Sequence, residues 1–127
     1  MPVILVAGPP CAGKTTYVQQ HAQPGDWILD QDELGQRKMA DYLARIRTGV
    51  PSLATAWVIR CAPGQAARDQ LAHELRAIEV VLLQPTLDEL IHRAKARPNP
   101  AGTIKAIREW QRIERQPSSL SVDPTTI

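Results

Sequence analysis

Apolar positions along the chain follow two alternating periods. Val3 to Ala7 (VILVA) is apolar throughout, as expected of a parallel strand covered on both faces. A loop and a polar-rich helical run at 15–22 follow, and the turn QPGD leads into a second short strand, WILD, from Trp27 to Asp30. Over 33–47, Met39, Tyr42, Leu43 and Ile46 recur at helical spacing, with Asp32 as the candidate N-cap and TGVPS as the stop. TAWVIRCA at 55–62 has the β-branched and aromatic content of a third strand. The spacing predicts a helix over 63–77, with Ala67, Leu71 and Leu75 four residues apart. EVVLLQP at 79–85 reads as a fourth buried strand ended by Pro85. Thr86 and Glu89 then make a capping-box pattern ahead of Leu87, Leu90, Ile91 and Ala94. ARPNPAG at 96–102 breaks that helix, 103–115 resumes helical character, and the remaining residues read as a loose tail or a strand stub.

Strands alternating with helices predict an α/β fold with a parallel sheet of four strands, or five if the tail adds one. A length of 127 residues bounds this to one domain, and 43% hydrophobic residues suffice for its core. The two cysteines, Cys11 and Cys61, have neither metal-ligand nor disulfide-framework spacing and read as reduced thiols. His21, His73 and His92 share no metal spacing either. No stretch approaches the roughly 18 apolar residues of a membrane span, and the N-terminus carries no basic leader, so no membrane partner and a cytoplasmic location are expected. A net charge of +2 does not by itself indicate a nucleic-acid partner. The basic residues gather, however, around Arg37, Lys38, Arg45 and Arg47 and again between Arg93 and Lys105.

The first loop changes the picture. Gly8-Pro9-Pro10-Cys11-Ala12-Gly13-Lys14-Thr15, followed by Thr16, matches G-x-x-x-x-G-K-S/T between a predicted strand and a predicted helix. Such a loop presents backbone N–H groups at a helix N-terminus, where unpaired donors and the helix dipole favour a polyphosphate. Lys14 is expected to reach the β and γ phosphates, and the Thr15 hydroxyl to help hold Mg²⁺. The ligand this predicts is ATP or another nucleoside triphosphate.

The remaining motifs narrow its use. No Asn-Lys-x-Asp motif reads a guanine, and the third strand ends in Arg60-Cys61 where motor ATPases carry an acid. Asp30 and Asp32 follow the second strand, whose carboxyl end opens on the phosphate-loop side, so that one could meet the metal and the other accept a proton from an attacking hydroxyl. Helix capping is the other reading of this pair. Arg60, at the end of an apolar strand, is placed to contact acceptor or phosphate. Trp57 and Trp110 could stack a base, though their places on a strand and a helix favour core packing.

From VILVAGPPCAGKTTYVQQ through WILDQDELGQRKM, the chain resembles the small P-loop kinases, most closely the kinase domain of bacteriophage polynucleotide kinases and their AAA-type and zeta-toxin-like relatives. The resemblance implies a three-layer P-loop NTPase fold with strand order 2-3-1-4 and Asp32 as the general base. It also implies a basic residue after the acid pair that contacts substrate, for which Arg37 and Lys38 are the candidates. It extends to LDELIHRAKARPNPAGTIKAIREWQRIE, where a lid around 93–103 would bring Arg93 and Arg97 to the transferring phosphoryl. The domain would then span 1–116, with a tail at 117–127. The implied activity is Mg²⁺-dependent γ-phosphoryl transfer to a nucleic-acid or nucleotide hydroxyl, either a polynucleotide 5′ end or the hydroxymethyl group of a modified pyrimidine, in the host cytoplasm if phage-encoded. A nucleoside or small-metabolite kinase is the alternative. A slowly hydrolysing nucleotide-binding module acting through a partner is a third reading, and the oligomeric state is left open.

Overall fold

The structure, a computed structural model, describes residues 1–49 and 53–116. The expected tail, and with it any fifth strand, lies outside the described residues, as does part of TGVPS. Four parallel strands, β1 (Val3–Ala7), β2 (Trp27–Asp30), β3 (Ala56–Arg60) and β4 (Glu79–Leu82), form one sheet in the order β2-β3-β1-β4. Five helices accompany them: α1 (Lys14–His21), α2 (Gln31–Arg47), α3 (Gln65–Leu75), α4 (Leu87–Ala94) and α5 (Pro100–Arg115). The fully apolar β1 is central, as its composition requires. Ala7 pairs in register with Arg60, and Asp30 with Ile59, so β1, β2 and β3 end together along one edge. That common edge positions the site.

Alternate residues of the strands feed opposite layers. Leu5, Leu29 and Val58 pack with Met39 of α2 and Leu75 of α3 on one face, while Val6, Trp57 and Ile59 pack with Val18 of α1 on the other. A third cluster joins Cys11 and Ala12 of the phosphate loop to Leu90 and Ala94 of α4 and Ile107 of α5. Leu90 and Ile107 are completely buried, and each such side chain contributes about 1.5–3 kcal/mol on leaving water. The α4–α5 hairpin is thereby fixed against the loop by packing.

Several boundaries differ from the sequence reading for identifiable reasons. Asp30, not Asp32, is the N-cap of α2, its carboxylate accepting from the Asp32 backbone N–H at 3.0 Å. Helix α2 is not continuous, because Gly35 (φ 79°, ψ 163°) separates its first turn from the rest, a conformation that glycine alone adopts freely. On α3, Ala67 is exposed and the buried position beside it is Arg68. Strand β4 is half-exposed rather than buried, since it lies at one edge of the described sheet, with Val80 41% accessible. Helix α5 begins at Pro100: proline needs no N–H partner at a first helical position and starts the helix there, with Asn99 capping Gly102 at 3.2 Å. The Thr86 cap is present, its hydroxyl accepting from the Glu89 N–H at 3.2 Å.

One turn ties the β2 edge down. The Asp26 carboxylate accepts from the N–H groups of Gln23 and Thr55 at 2.9 and 3.0 Å and from the Trp57 indole at 2.9 Å. The Thr55 bond first, then those from Trp57 and Gln23, hold its carboxyl below the usual aspartate range. A carboxyl with a depressed folded-state pKa contributes stability that is complete above its unfolded value and disappears as pH falls through the folded one. Asp26→Asn is therefore expected to lower the melting temperature at pH 7 and to flatten the loss of stability below about pH 4. Thermal melts from neutral to acid pH check this, and parallel acid limbs in the two proteins would refute it.

Candidate active site

The loop between β1 and α1 is shaped by contacts the sequence does not display. A Cβ at Gly8 would lie 2.6 Å from the Leu83 carbonyl oxygen and 3.1 Å from Ala12 Cβ, so the loop rests directly on the exit of β4 and excludes a side chain there. Gly13 caps α1 at φ 89°, in the left-handed region. Cys11 also has a positive φ, 67°, which costs a residue with a β-carbon about 1–2 kcal/mol. Its burial against α4 and α5 offsets that strain.

Lys14 folds over the loop it follows. Its ammonium donates to the carbonyls of Gly8 and Pro9 at 2.7 and 2.9 Å and approaches Cys61 Sγ at 3.7 Å. The three N–H donors of an ammonium are thus matched by three acceptors, two from the loop and one from the end of β3. Cys61, which occupies the position where an acid was sought, is a contact of the loop lysine.

A cleft of about 600 Å³ opens at the common strand edge. The phosphate loop from Pro10 to Thr16 forms one side, including Lys14 and Thr15. Asp30 and Asp32 come from the β2–α2 junction, Arg60 and Cys61 from the end of β3, and Arg97 from the α4–α5 turn. Three acids, since Glu33 lines the cleft beside the aspartates, three cations and the loop thus meet in one space.

The remaining expectations are met unevenly. Gly8 and Pro9 are buried beneath the loop rather than lining the cleft. Arg93 and Arg97 do not project together from one helix, because α4 ends at Ala94 and a tight turn carries Arg97, its N–H bonded to the Ala94 carbonyl at 3.0 Å. Arg93 instead donates to the Cys11 carbonyl at 2.9 Å, bracing the loop from outside, while Arg97 faces the cleft. Arg37 and Lys38 are exposed and do not line the cleft, since the break at Gly35 sends that part of α2 back to pack Met39 on the sheet. Arg45 stacks over Trp27 and Tyr42 at 5.0 and 5.6 Å. Trp57 and Trp110 are core residues, their indoles bonded to Asp26 and to the Cys61 carbonyl. Sequence reasoning missed Thr103 as a cleft residue, because a threonine at a helix start signals capping and nothing else.

Thr15 and Asp30 together offer a hydroxyl and a carboxylate beside the loop, a hard-oxygen set that suits Mg²⁺ shared with nucleotide phosphates. Asp30 Oδ1 is engaged with the Asp32 N–H, and its second oxygen makes no hydrogen bond among the described residues. No group of three or more His, Cys, Asp or Glu side chains among the described residues could cage a metal, so such an ion would rely on the phosphates. No helix among the described residues is long and apolar enough to cross a membrane.

A parallel sheet of order 2-3-1-4 between helical layers, with the glycine-rich loop joining β1 to α1, is the P-loop NTPase fold. A gluconokinase from Sinorhizobium meliloti 1021 shares it, with a TM-score of 0.58 and 22% identity over 86% of this chain and 74% of that one. A sugar kinase from Janibacter sp. HTCC2649 shares it too, with a TM-score of 0.59 and 14% identity over 94% of this chain and 80% of that one. At these identities the likeness is one of fold. No family model matches the chain, and no curated protein matches it significantly in sequence.

Proposed function

We propose that the protein is a kinase that moves the γ-phosphoryl group of ATP, or another nucleoside triphosphate, to a hydroxyl of a small polar metabolite of the sugar or sugar-acid class. The carrying observation is that Lys14 and the Asp30/Asp32 pair line the same cleft. Two structures of like fold bear the names gluconokinase and sugar kinase, which favours a small acceptor over the polynucleotide that the sequence resemblance suggests. The basic residues of α2 support the same choice: Arg37 and Lys38 lie off the cleft and Arg45 is stacked on aromatic rings, so they offer no continuous path for a phosphate backbone.

In this reading Lys14 leaves the loop carbonyls and binds the β and γ phosphates. Thr15 and Asp30 would hold Mg²⁺, which when bound would offset charge on the phosphate oxygens. Asp32 accepts the acceptor's hydroxyl proton as the new O–P bond forms and the bond from the γ-phosphorus to the bridging oxygen breaks. Arg97 offsets charge on the transferring group, Arg93 keeps the loop in shape, and Arg60 faces the acceptor. The turn carrying Arg97 serves as the lid.

Transfer of labelled γ-phosphate to a panel of D-gluconate, hexoses, nucleosides and a 5′-hydroxyl oligonucleotide tests this. The expected product is a phosphorylated sugar or sugar acid, with the oligonucleotide unlabelled. Labelling of the oligonucleotide, with an affinity that falls steeply with salt, would restore the polynucleotide reading. Slow ATP hydrolysis without any acceptor product would favour the partner-dependent module, to which the missing acid at the end of β3 also points.

A further inference from the structure

Outside the cleft, a polar cluster joins α5 to the exit of β3. Arg68 of α3 is the buried charged residue among those described, 6% accessible. Its guanidinium donates to the Glu114 carboxylate at 2.8 and 3.0 Å and to the Ala62 carbonyl at 3.1 Å. Glu114 also accepts from the Gly64 N–H at 2.7 Å, and Trp110, one turn earlier on α5, donates to the Cys61 carbonyl at 2.7 Å. Three of these five hydrogen bonds therefore end on the backbone of the β3–α3 connection. An ion pair that only stapled two helices would need none of them.

The segment so held is strained. Ala62 has a φ of 40°, in the left-handed region where a β-carbon is unfavourable, and such conformations persist only where the surroundings impose them. Arg60, Cys61 and Ala62 line the cleft, whereas Arg68, Trp110 and Glu114 do not. Thr103, near the opposite end of α5, lines the same cleft, so one helix spans from the lid turn to the wall formed by the end of β3.

We propose that Arg68, Glu114 and Trp110 are positioning residues for the phosphoryl acceptor: they lock the strained 60–62 segment as a cleft wall, so that presentation of Arg60 depends on an ion pair outside the cleft. The acceptor part rests on the kinase reading above. The wall itself does not.

The double variant Arg68→Leu/Glu114→Leu separates the two. A packed apolar pair can replace a buried ion pair without loss of fold, yet it removes the bonds to Ala62 and Gly64. Its melting temperature is expected to stay near the parent's. Reaction of Cys61 with Ellman's reagent in the native protein, resolved from Cys11 by peptide mass spectrometry, is expected to accelerate about tenfold or more as the segment opens locally. With D-gluconate as acceptor, KM should rise about tenfold, while MgATP affinity and acceptor-free ATP hydrolysis stay within about twofold. Glu114→Gln keeps one oxygen for Gly64 and Arg68 and should give a smaller change in the same direction, which provides a second measurement if the double variant does not fold.

An unchanged Cys61 rate in a folded variant would overturn the clamp. A parallel loss of MgATP affinity would overturn its restriction to the acceptor side. If the parent protein does not phosphorylate D-gluconate, that acceptor fails while the thiol rate still decides the clamp.

Discussion

Asp32→Asn should lower phosphoryl transfer by about 10²–10⁴-fold, the range associated with loss of a general base, with MgATP binding close to that of the parent. The structure isolates this effect well. Asp32 is exposed to the cleft, and its backbone N–H, not its carboxylate, is the group bonded to Asp30. Asparagine keeps that N–H and nearly the same shape, so the cap of α2 survives while the proton acceptor is lost. Single-turnover transfer to the accepted member of the panel, with calorimetric titration of MgATP, is the measurement. Transfer at the parent's rate by a variant that binds nucleotide normally would remove Asp32 from the mechanism.

Lys14→Ala is expected to damage binding and transfer together. Each charge-assisted hydrogen bond from an ammonium contributes about 1.5–3 kcal/mol, so MgATP affinity should fall by roughly 10–150-fold, with transfer lost as well. The fold should tolerate the change, because the present acceptors of Lys14 are two loop carbonyls and a thiol beside an open cleft, where water can take its place. Without nucleotide the melting temperature should change little, whereas the stabilisation conferred by saturating MgATP on the parent should shrink, since linked stabilisation follows concentration over Kd. Tight MgATP binding by the alanine variant would place the triphosphate elsewhere and remove the basis of the kinase reading.

These two residues show how much of the site can be read from the chain. Lys14 lies in an eight-position pattern whose strand and helix flanks are themselves legible, and Asp30 and Asp32 close a strand that must end on the loop's side of a parallel sheet. Arg60 was placed by the same reasoning about strand ends, and it lines the cleft. The four-residue spacing of Arg93 and Arg97 suggests a pair acting together, but α4 ends at Ala94 between them, so one braces the loop and the other faces the cleft. Arg37 and Lys38 are candidates only through the resemblance, whose spacing after the acids the break at Gly35 makes a poor guide.

While the strand order came from the resemblance, sequence by itself determined the α/β class, the phosphate loop and the acid pair. Each of these is written in residues a few positions apart, where backbone preference, side-chain period and capping operate. Tertiary structure alone decided that Arg93 braces a loop 82 residues away, that Cys61 meets a lysine 47 residues away, and that Arg68 is buried against Glu114 beneath the wall of the cleft. Those contacts arise from the pairing of β3 beside β1, from the packing of α4 and α5 on the phosphate loop and from the seating of α3 on the sheet. A polar residue on such a face looks the same in sequence whether packing turns it toward water, toward a partner or toward the site.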